Sequence, residues 1–291
     1  MRIRPETTRV AVVIVNYQAY DELRNCLSSL DPVCPQSTIV VVDHSSDPRS
    51  ADALVNDFPH VEVVRKTTND GFAAGVNHGA RVTTSTFLLF INPDCTIEPQ
   101  DCCQLADFLE AHPDVGAVGP RITNADGTIQ PSARRFPNFT TAIAGRSSWL
   151  TRVLPGNPLS RRNLPLRDLS RTAPVDVDWL SGACMLVRRE AFDAIGGMDE
   201  GFFLYWEDAD FCRRLEKANW RTVYLPSAHA MHVGGRSSRH AAIAAQEAFH
   251  KSAFRLYRKH TGTLGHLLAP FVFLALQARL LFMKQVVKAR R

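Results

Sequence analysis

Several signatures are missing from the 291-residue chain, and each absence excludes a class of protein. No CxxC pair occurs among its seven cysteines (26, 34, 95, 102, 103, 184 and 212), and none of their spacings suits a zinc site. They read as small buried hydrophobes in a reducing compartment. No G-x-G-x-x-G follows the first apolar run, which excludes the dinucleotide fingerprint. Neither a fixed-period repeat nor a low-complexity tract is present, and 45% hydrophobic with 22% charged residues describes a folded protein. No long apolar stretch precedes the short run Val10 to Val15, so a cleaved secretory signal is not expected and a cytoplasmic location is.

Acids are scarce in two regions. Residues 230–291 hold eleven Lys/Arg against the single acid Glu247, a balance of +10 within a chain whose net charge is +5. Residues 134–173 hold eight Arg and one acid, Asp168. Such patches suit polyanions or anionic lipid surfaces. An uninterrupted apolar run of about 20 residues, the length a spanning helix needs, is also missing. Leu267 to Leu276 contains Pro270 and stops at Gln277 and Arg279. The segment reads as an interfacial helix with Arg279, Lys284, Lys288, Arg290 and Arg291 on headgroups, or as a helix docked on the protein's own core.

What is present is an alternation. The apolar runs Val10 to Asn16, Thr38 to Asp43, Val61 to Arg65 and Thr86 to Ile91 predict buried strands of a mostly parallel sheet. Asp21 to Leu30, Ser50 to Phe58, Phe72 to Arg81 and Pro99 to His112 predict the helices between them. The class is α/β with right-handed crossovers. Beyond Pro120 the alternation fails: Asp126-Gly127 suggests a hairpin, and about 134–174 reads as an Arg/Pro-rich insertion. Val175 to Val187 is strand-like and broken at Ser181-Gly182. Helices follow at Arg189 to Ile195, Glu207 to Asn219 and Ala241 to His260, with a strand at Thr222 to Leu225. The expected division is a catalytic domain over 1–235 and a basic helical region over 236–291.

In such sheets ligands sit beyond the carboxyl ends of the strands, where this chain places Asn16-Tyr17, Asp43 to Ser46 and Asn92-Pro93-Asp94. Asp94 is the hard oxygen ligand that Mg²⁺ or Mn²⁺ takes. Asp43 is placed to accept from a nucleobase imide N–H. Asn69 to Asn77 supplies glycines for close backbone approach to a ligand. Asp208 opens a helix among Phe202, Phe203, Tyr205 and Trp206, where desolvation makes a carboxylate a better base. His229 and His232 follow a short strand, and an imidazole near Asp94 would complete a metal site.

The ordered set VVIVNY (12–17), VVVDHSS (40–46), NDGFAAGVN (69–77), FINPD (90–94), WLSGACMLVRR (179–189), YWEDADFCRRL (205–215) and HAMH (229–232) resembles the family 2 glycosyltransferases. Within them it is most similar to the rhamnosyltransferase branch that acts on lipid-linked sugars, over about residues 10–235. The family's D-x-D reads here as Asn92-Pro93-Asp94, leaving one acid for the metal. The resemblance implies a GT-A nucleotide-binding sandwich and inversion at the anomeric carbon. It implies that Asp43 recognises the pyrimidine, that Asn16, Tyr17, Asn69, Gly71, Asn77 and Asn92 line the nucleotide-sugar site, and that Asp94 and His232 hold Mg²⁺ or Mn²⁺. Asp208 becomes the general base, with Glu207 and Trp179, Ser181 and Gly182 facing the acceptor. Arg134, Arg135, Arg161 and Arg162 would meet an acceptor diphosphate. Expected partners are a dTDP- or UDP-linked sugar, a polyprenyl diphosphate-linked saccharide and the cytoplasmic membrane face, not nucleic acid. Uracil and thymine share one imide edge, so a galactofuranose or hexose UDP donor stays open. So do a non-catalytic nucleotide-sugar-binding protein and a membrane scaffold.

Overall fold

The computed structural model describes residues 9–30, 37–45, 47–136, 172–234 and 242–289. The predicted insertion from residue 137 onward, with Arg161 and Arg162, therefore lies outside the described residues, as do Ser46, Arg290 and Arg291.

The first half follows the predicted alternation. It runs β1 (Val10–Asn16), α1 (Tyr20–Leu30), β2 (Ser37–Asp43), α2 (Pro48–Asp57), β3 (Glu62–Arg65), α3 (Phe72–Arg81), β4 (Phe87–Ile91), β5 (Cys95–Ile97) and α4 (Pro99–Ala111). β4 is apolar along its whole length and β1 is apolar up to Asn16 because helices cover both faces of the sheet, and all five residues of β4 are buried. Local chemistry sets the helix starts. Asp47 caps α2 by accepting from the Arg49 N–H at 3.1 Å, with Pro48 in the first turn.

The second half is β6 (Val115–Thr123), β7 (Ala133–Arg134), β8 (Val175–Asp176), β9 (Trp179–Leu180), β10 (Cys184–Arg188), α5 (Arg189–Ala194), α6 (Glu207–Lys217), β11 (Arg221–His232), α7 (Ala242–His260) and α8 (Thr263–Ala289). The main sheet has the order β3-β2-β1-β4-β10-β6-β11-β5, with β8 added on β11, while β7 and β9 form a separate pair. β3, β2, β1 and β4 are parallel, and β10 enters antiparallel between β4 and β6. Two apolar layers flank the sheet. Phe90 points into one of them, 5.7 Å from Phe192 and 6.4 Å from Phe211, so its truncation to alanine costs about 3–5 kcal/mol.

Three expectations need correcting. β11 is far longer than Thr222 to Leu225: it continues through an irregularity between Leu225 and His229 and pairs with β5 as far as His232. Cys26, Cys95, Cys102, Cys184 and Cys212 are buried free thiols, but Cys103 is disulfide-bonded. The reading of all seven as reduced hydrophobes therefore fails at Cys103, which is only half-buried on α4. Finally, Pro270 does not interrupt the last helix, because α7 runs alongside and supports it. Phe273 packs on Phe254 at 5.2 Å, and the Tyr257 hydroxyl donates to the Gly265 carbonyl at 2.7 Å.

The resulting segment Thr263–Val287 is long and apolar enough to cross a membrane: an 18-residue stretch within it has a mean hydropathy of 1.7, with 6% of that stretch buried. Arg279 and Lys284, two of the cations expected on headgroups, are engaged within the protein instead. Arg279 lies over the Phe249 ring at 5.6 Å and contacts His250 Nε2 at 3.3 Å, while Lys284 pairs with Glu247. All three partners belong to α7, so α8 spends these charges within the hairpin. Its outer face carries Leu264, Leu267, Phe271, Leu274, Leu281 and Phe282, between 61% and 71% exposed.

Candidate active site

The carboxyl ends of β1, β2 and β4 lie side by side, with Asn16 in register with Asp43. Asp43 is buried and accepts from Asn16 Nδ2 at 2.9 Å, from the Tyr20 hydroxyl at 2.7 Å and from the Ser45 N–H at 3.1 Å. Burial, together with the hydrogen bond to Asp43, pushes the Tyr20 hydroxyl up to about 12, so it remains a donor. A carboxylate has about four lone-pair sites, which leaves room for one further donor on Asp43. Sequence reasoning missed Tyr20, whose position at the start of α1 was legible but whose partner was not. Tyr17 stands beside this cluster, 47% exposed.

Asn69 is at the mouth of α3. Its Oδ1 accepts from the Gly71 N–H at 3.1 Å and meets His44 Nδ1 at 3.1 Å, which ties this turn to the end of β2. The glycines that follow serve the chain itself. Gly71 has φ 92°, and a Cβ on it would stand 2.3 Å from the Phe203 carbonyl oxygen. One on Gly75 would stand 2.7 Å from Val15. The expected approach of the Gly75 backbone to a ligand is thus an approach of α3 to β1. Asn77 departs likewise from its expected place in the pocket lining: its Nδ2 donates to the Met198 carbonyl and Glu200 at 2.9 Å, and its Oδ1 accepts from the Met198 N–H at 2.8 Å. Both amide atoms are committed to the 198–200 loop.

The turn from Asn92 to Asp94 connects β4 to β5. Pairing of β5 with β11 sets His232 opposite Cys95, and so brings His232 Nε2 to 3.1 Å from Asp94 Oδ1. The other ring nitrogen faces Gln130 Oε1 at 3.0 Å. The orientation of Gln130 is set independently, because its Nε2 donates to the His232 carbonyl and to Asn124 Oδ1, both at 2.7 Å. Gln130 must therefore accept from a protonated Nδ1, which leaves Nε2 with its lone pair toward Asp94 in the neutral ring. A lone pair and a carboxylate oxygen facing one another fit a divalent cation between them. No group of three or more His, Cys, Asp or Glu side chains suited to a metal occurs among the described residues, so these two would be its protein ligands. The His229 ring faces Asp101 instead, with Nδ1 3.8 Å from Oδ1.

The base candidate reaches the same edge from another direction. The Asn92 N–H donates to the Ala183 carbonyl at 2.9 Å, and the Gly182 N–H donates to Asp208 Oδ2 at 3.1 Å, so one short segment joins Asp208 to the metal-ligand turn. Asp208 Oδ1 accepts from the Ala209 N–H at 2.8 Å. Burial raises the Asp208 carboxyl, against the opposing pull of the Gly182 and Ala209 N–H groups and the Arg134 charge. Glu207 is buried beside it and raised well above the usual range by burial and by Asp208, and its Oε2 has no hydrogen-bond partner among the described residues. Two left-handed residues, Tyr205 at φ 67° and Trp206 at φ 70°, turn the chain into this helix. Such conformations cost about 1–2 kcal/mol per residue.

Around Asp208 stand the expected acceptor residues. Trp179 donates Nε1–H to the Arg135 carbonyl at 3.1 Å and lies 5.0 Å beneath the Arg134 guanidinium. The Ser181 N–H donates to the Ser132 carbonyl at 2.7 Å. Arg135 departs from its expected role, since it pairs with Asp178 at 2.7 Å.

An α/β sheet of this order, with acidic and amide side chains gathered beyond β1, β2 and β4, has the GT-A-like architecture, and residues 11–196 match the family described as Glycosyl transferase family 2. The chain belongs to that family and is a glycosyltransferase. Among similar proteins is the N-acetylglucosaminyl-diphospho-decaprenol L-rhamnosyltransferase of Mycobacterium tuberculosis, 32% identical over 269 residues that cover 88% of this chain and 86% of that enzyme. Rhamnosyltransferase WbbL of Escherichia coli is 24% identical over 259 residues, covering 87% and 90%. Solved structures of the same fold include mannosyltransferase PcManGT of Pyrobaculum calidifontis with GDP-Man and Mn²⁺, at TM-score 0.58 and 16% identity over 94% of this chain and 74% of that one. GalNAc-T7 with UDP, GalNAc and Mn²⁺ also has TM-score 0.58 at 16% identity, and the match spans 78% of this chain and 44% of that one.

Proposed function

We propose that this glycosyltransferase moves L-rhamnose from dTDP-L-rhamnose to a hydroxyl of a polyprenyl diphosphate-linked saccharide, with inversion and with Mg²⁺ or Mn²⁺. The observation that carries the reading is the junction at Ala183 and Gly182, which sets the Asp94–His232 pair and the Asp208 carboxylate on one edge of the sheet. The likeness of nearly the whole chain to a rhamnosyltransferase named for a lipid-linked N-acetylglucosamine supports the donor and acceptor classes.

In this reading Asn16 and Tyr20 hold Asp43 ready for the imide of the base, and Asp94 and His232 hold the cation. When bound, the cation neutralises charge on the diphosphate leaving group. Asp208 takes the proton from the acceptor hydroxyl as its oxygen bonds to the anomeric carbon from the opposite face. The bond to the diphosphate breaks, and its electron pair leaves with dTDP. One displacement gives inversion without a covalent intermediate. The raised Asp208 carboxyl suits proton abstraction near neutral pH better than an ordinary aspartate.

The α7–α8 hairpin fits the cytoplasmic face of a membrane. With α8 held lengthwise on α7, its outer apolar face would lie in the plane of the bilayer. In this reading the hairpin would hold the enzyme where a polyprenyl-linked acceptor resides.

The test is thermal stabilisation by dTDP, UDP and GDP, each with Mn²⁺ or EDTA, followed by turnover with dTDP-L-rhamnose and an N-acetylglucosaminyl diphosphate lipid. The expected result is a metal-dependent shift largest for dTDP that disappears in Asp94→Ala. A larger shift with UDP would move the donor to the UDP-sugars, and metal-independent binding in Asp94→Ala would remove the cation site.

A further inference from the structure

Tyr205 and Trp206 both adopt left-handed backbone immediately before α6, and so fix the direction in which Glu207 and Asp208 leave the helix. Neither is glycine, so the local sequence does not favour this turn, and it persists only because surrounding structure holds it.

The hold comes from the C-terminal hairpin. The Phe249 ring of α7 stands 5.9 Å from Tyr205 and 5.3 Å from Trp206, and Ser252 Oγ donates to the Leu204 carbonyl at 2.9 Å. On its far side Trp206 faces Trp179 at 6.0 Å, and Arg134 lies over Trp179. Arg279 of α8 covers the Phe249 ring. Arg279, Phe249, Trp206, Trp179 and Arg134 thus form one continuous chain of ring and cation contacts from the apolar helix to the acceptor side of the site. The turn end of the same hairpin is pinned by charge. Lys259 bonds Asp199 at 2.6 Å and Asp210 at 2.9 Å, and His260 Nε2 meets Asp210 at 2.7 Å. Asp210 is fully buried on α6, two residues beyond Asp208.

We infer that Phe249 is a positioning residue for Asp208: the hairpin, through this ring, keeps the 205–206 turn in the conformation that aims the base. The inference rests on the reading of Asp208 as the base. It assigns the C-terminal region a part in turnover that is separate from holding the enzyme at a membrane.

The experiment uses the full chain with Phe249→Ala, Phe249→Leu and Phe249→Tyr. Turnover is measured with dTDP-L-rhamnose and a short-chain, detergent-soluble acceptor, dTDP affinity with Mn²⁺, and hydrogen exchange over residues 202–208. Phe249→Ala is expected to lower kcat about 10–100-fold, the scale of a base misplaced by about an ångström, with dTDP affinity unchanged within about two-fold. Exchange over 202–208 should rise, and Phe249→Tyr should restore both. Where Phe249→Ala does not fold, Phe249→Leu carries the test, since it keeps bulk but not the ring contacts. A folded variant with unchanged kcat and unchanged exchange overturns the inference. Loss of dTDP affinity in step with kcat does so too, because it marks a general structural role. Should Asp208→Asn retain turnover while Phe249→Ala still loosens 202–208, the identity of the base fails and the buttress stands.

Discussion

Replacing Gln130 with leucine tests the metal reading from a residue that touches no metal. In the native protein Gln130 accepts from His232 Nδ1 at 3.0 Å and donates to the His232 carbonyl at 2.7 Å, so it fixes both the tautomer and the backbone of that histidine. Leucine abolishes both bonds. Each is worth a net of about 0.5–1.5 kcal/mol, so the histidine loses roughly 1–3 kcal/mol of preorganisation. At about 1.4 kcal/mol per decade, that is a loss of about 5–140-fold in cation affinity, which spans the range of about 10–100-fold usual for residues behind a metal-bound histidine. The assay is Mn²⁺ titration followed by electron paramagnetic resonance with saturating dTDP, alongside a melting curve. In a His232→Ala background the same change should cost little further affinity, because the two residues act as one unit. Unchanged Mn²⁺ affinity in Gln130→Leu, or an equal loss in the absence of His232, would refute the reasoning.

Three more predictions concern the base and the hairpin. Asp208→Asn should abolish transfer while leaving dTDP binding within about two-fold, since Asp208 meets Gly182 rather than the nucleotide side; near wild-type turnover removes it from the mechanism. Glu207 is held well above its ordinary 4.5, so the native state binds more protons than the unfolded chain above that pH and stability falls as pH rises. Glu207→Gln should therefore gain in melting temperature on the wild type as pH rises above about 4.5, and a gap that does not vary with pH speaks against the shift. Leu267→Glu with Phe271→Glu alters only the outer face of α8, so liposome flotation should drop with little change in melting temperature; retained flotation sinks the membrane assignment.

Local sequence signals were enough for the parallel half of the fold. The strands from Val10 to Asn16 and near Thr38 to Asp43 and Thr86 to Ile91 stand where their apolar runs placed them, as do the helices at Phe72–Arg81 and Pro99–Ala111. Such signals are local: a strand buried on both faces must be apolar throughout, and a helix beside it must repeat near every 3.6 residues. The carboxylates at the strand ends were legible for the same reason. Residue chemistry alone nominated Asp94 and Asp208.

What the tertiary structure alone decided are the partners. His232 meets Asp94 because β11 runs on beyond Leu225 to pair with β5, a contact between segments far apart in the chain. Asn77, Arg135, Arg279 and Lys284 carried the right chemistry for ligands, yet each is bound to the protein's own groups. A polar side chain shows in sequence what it can bind, but not which neighbour the fold brings within about 3 Å of it. Phe249 had no motif at all. Its place against Trp206 follows from the docking of α7, and docking is settled by the shapes and charges of surfaces that exist only once the chain has folded.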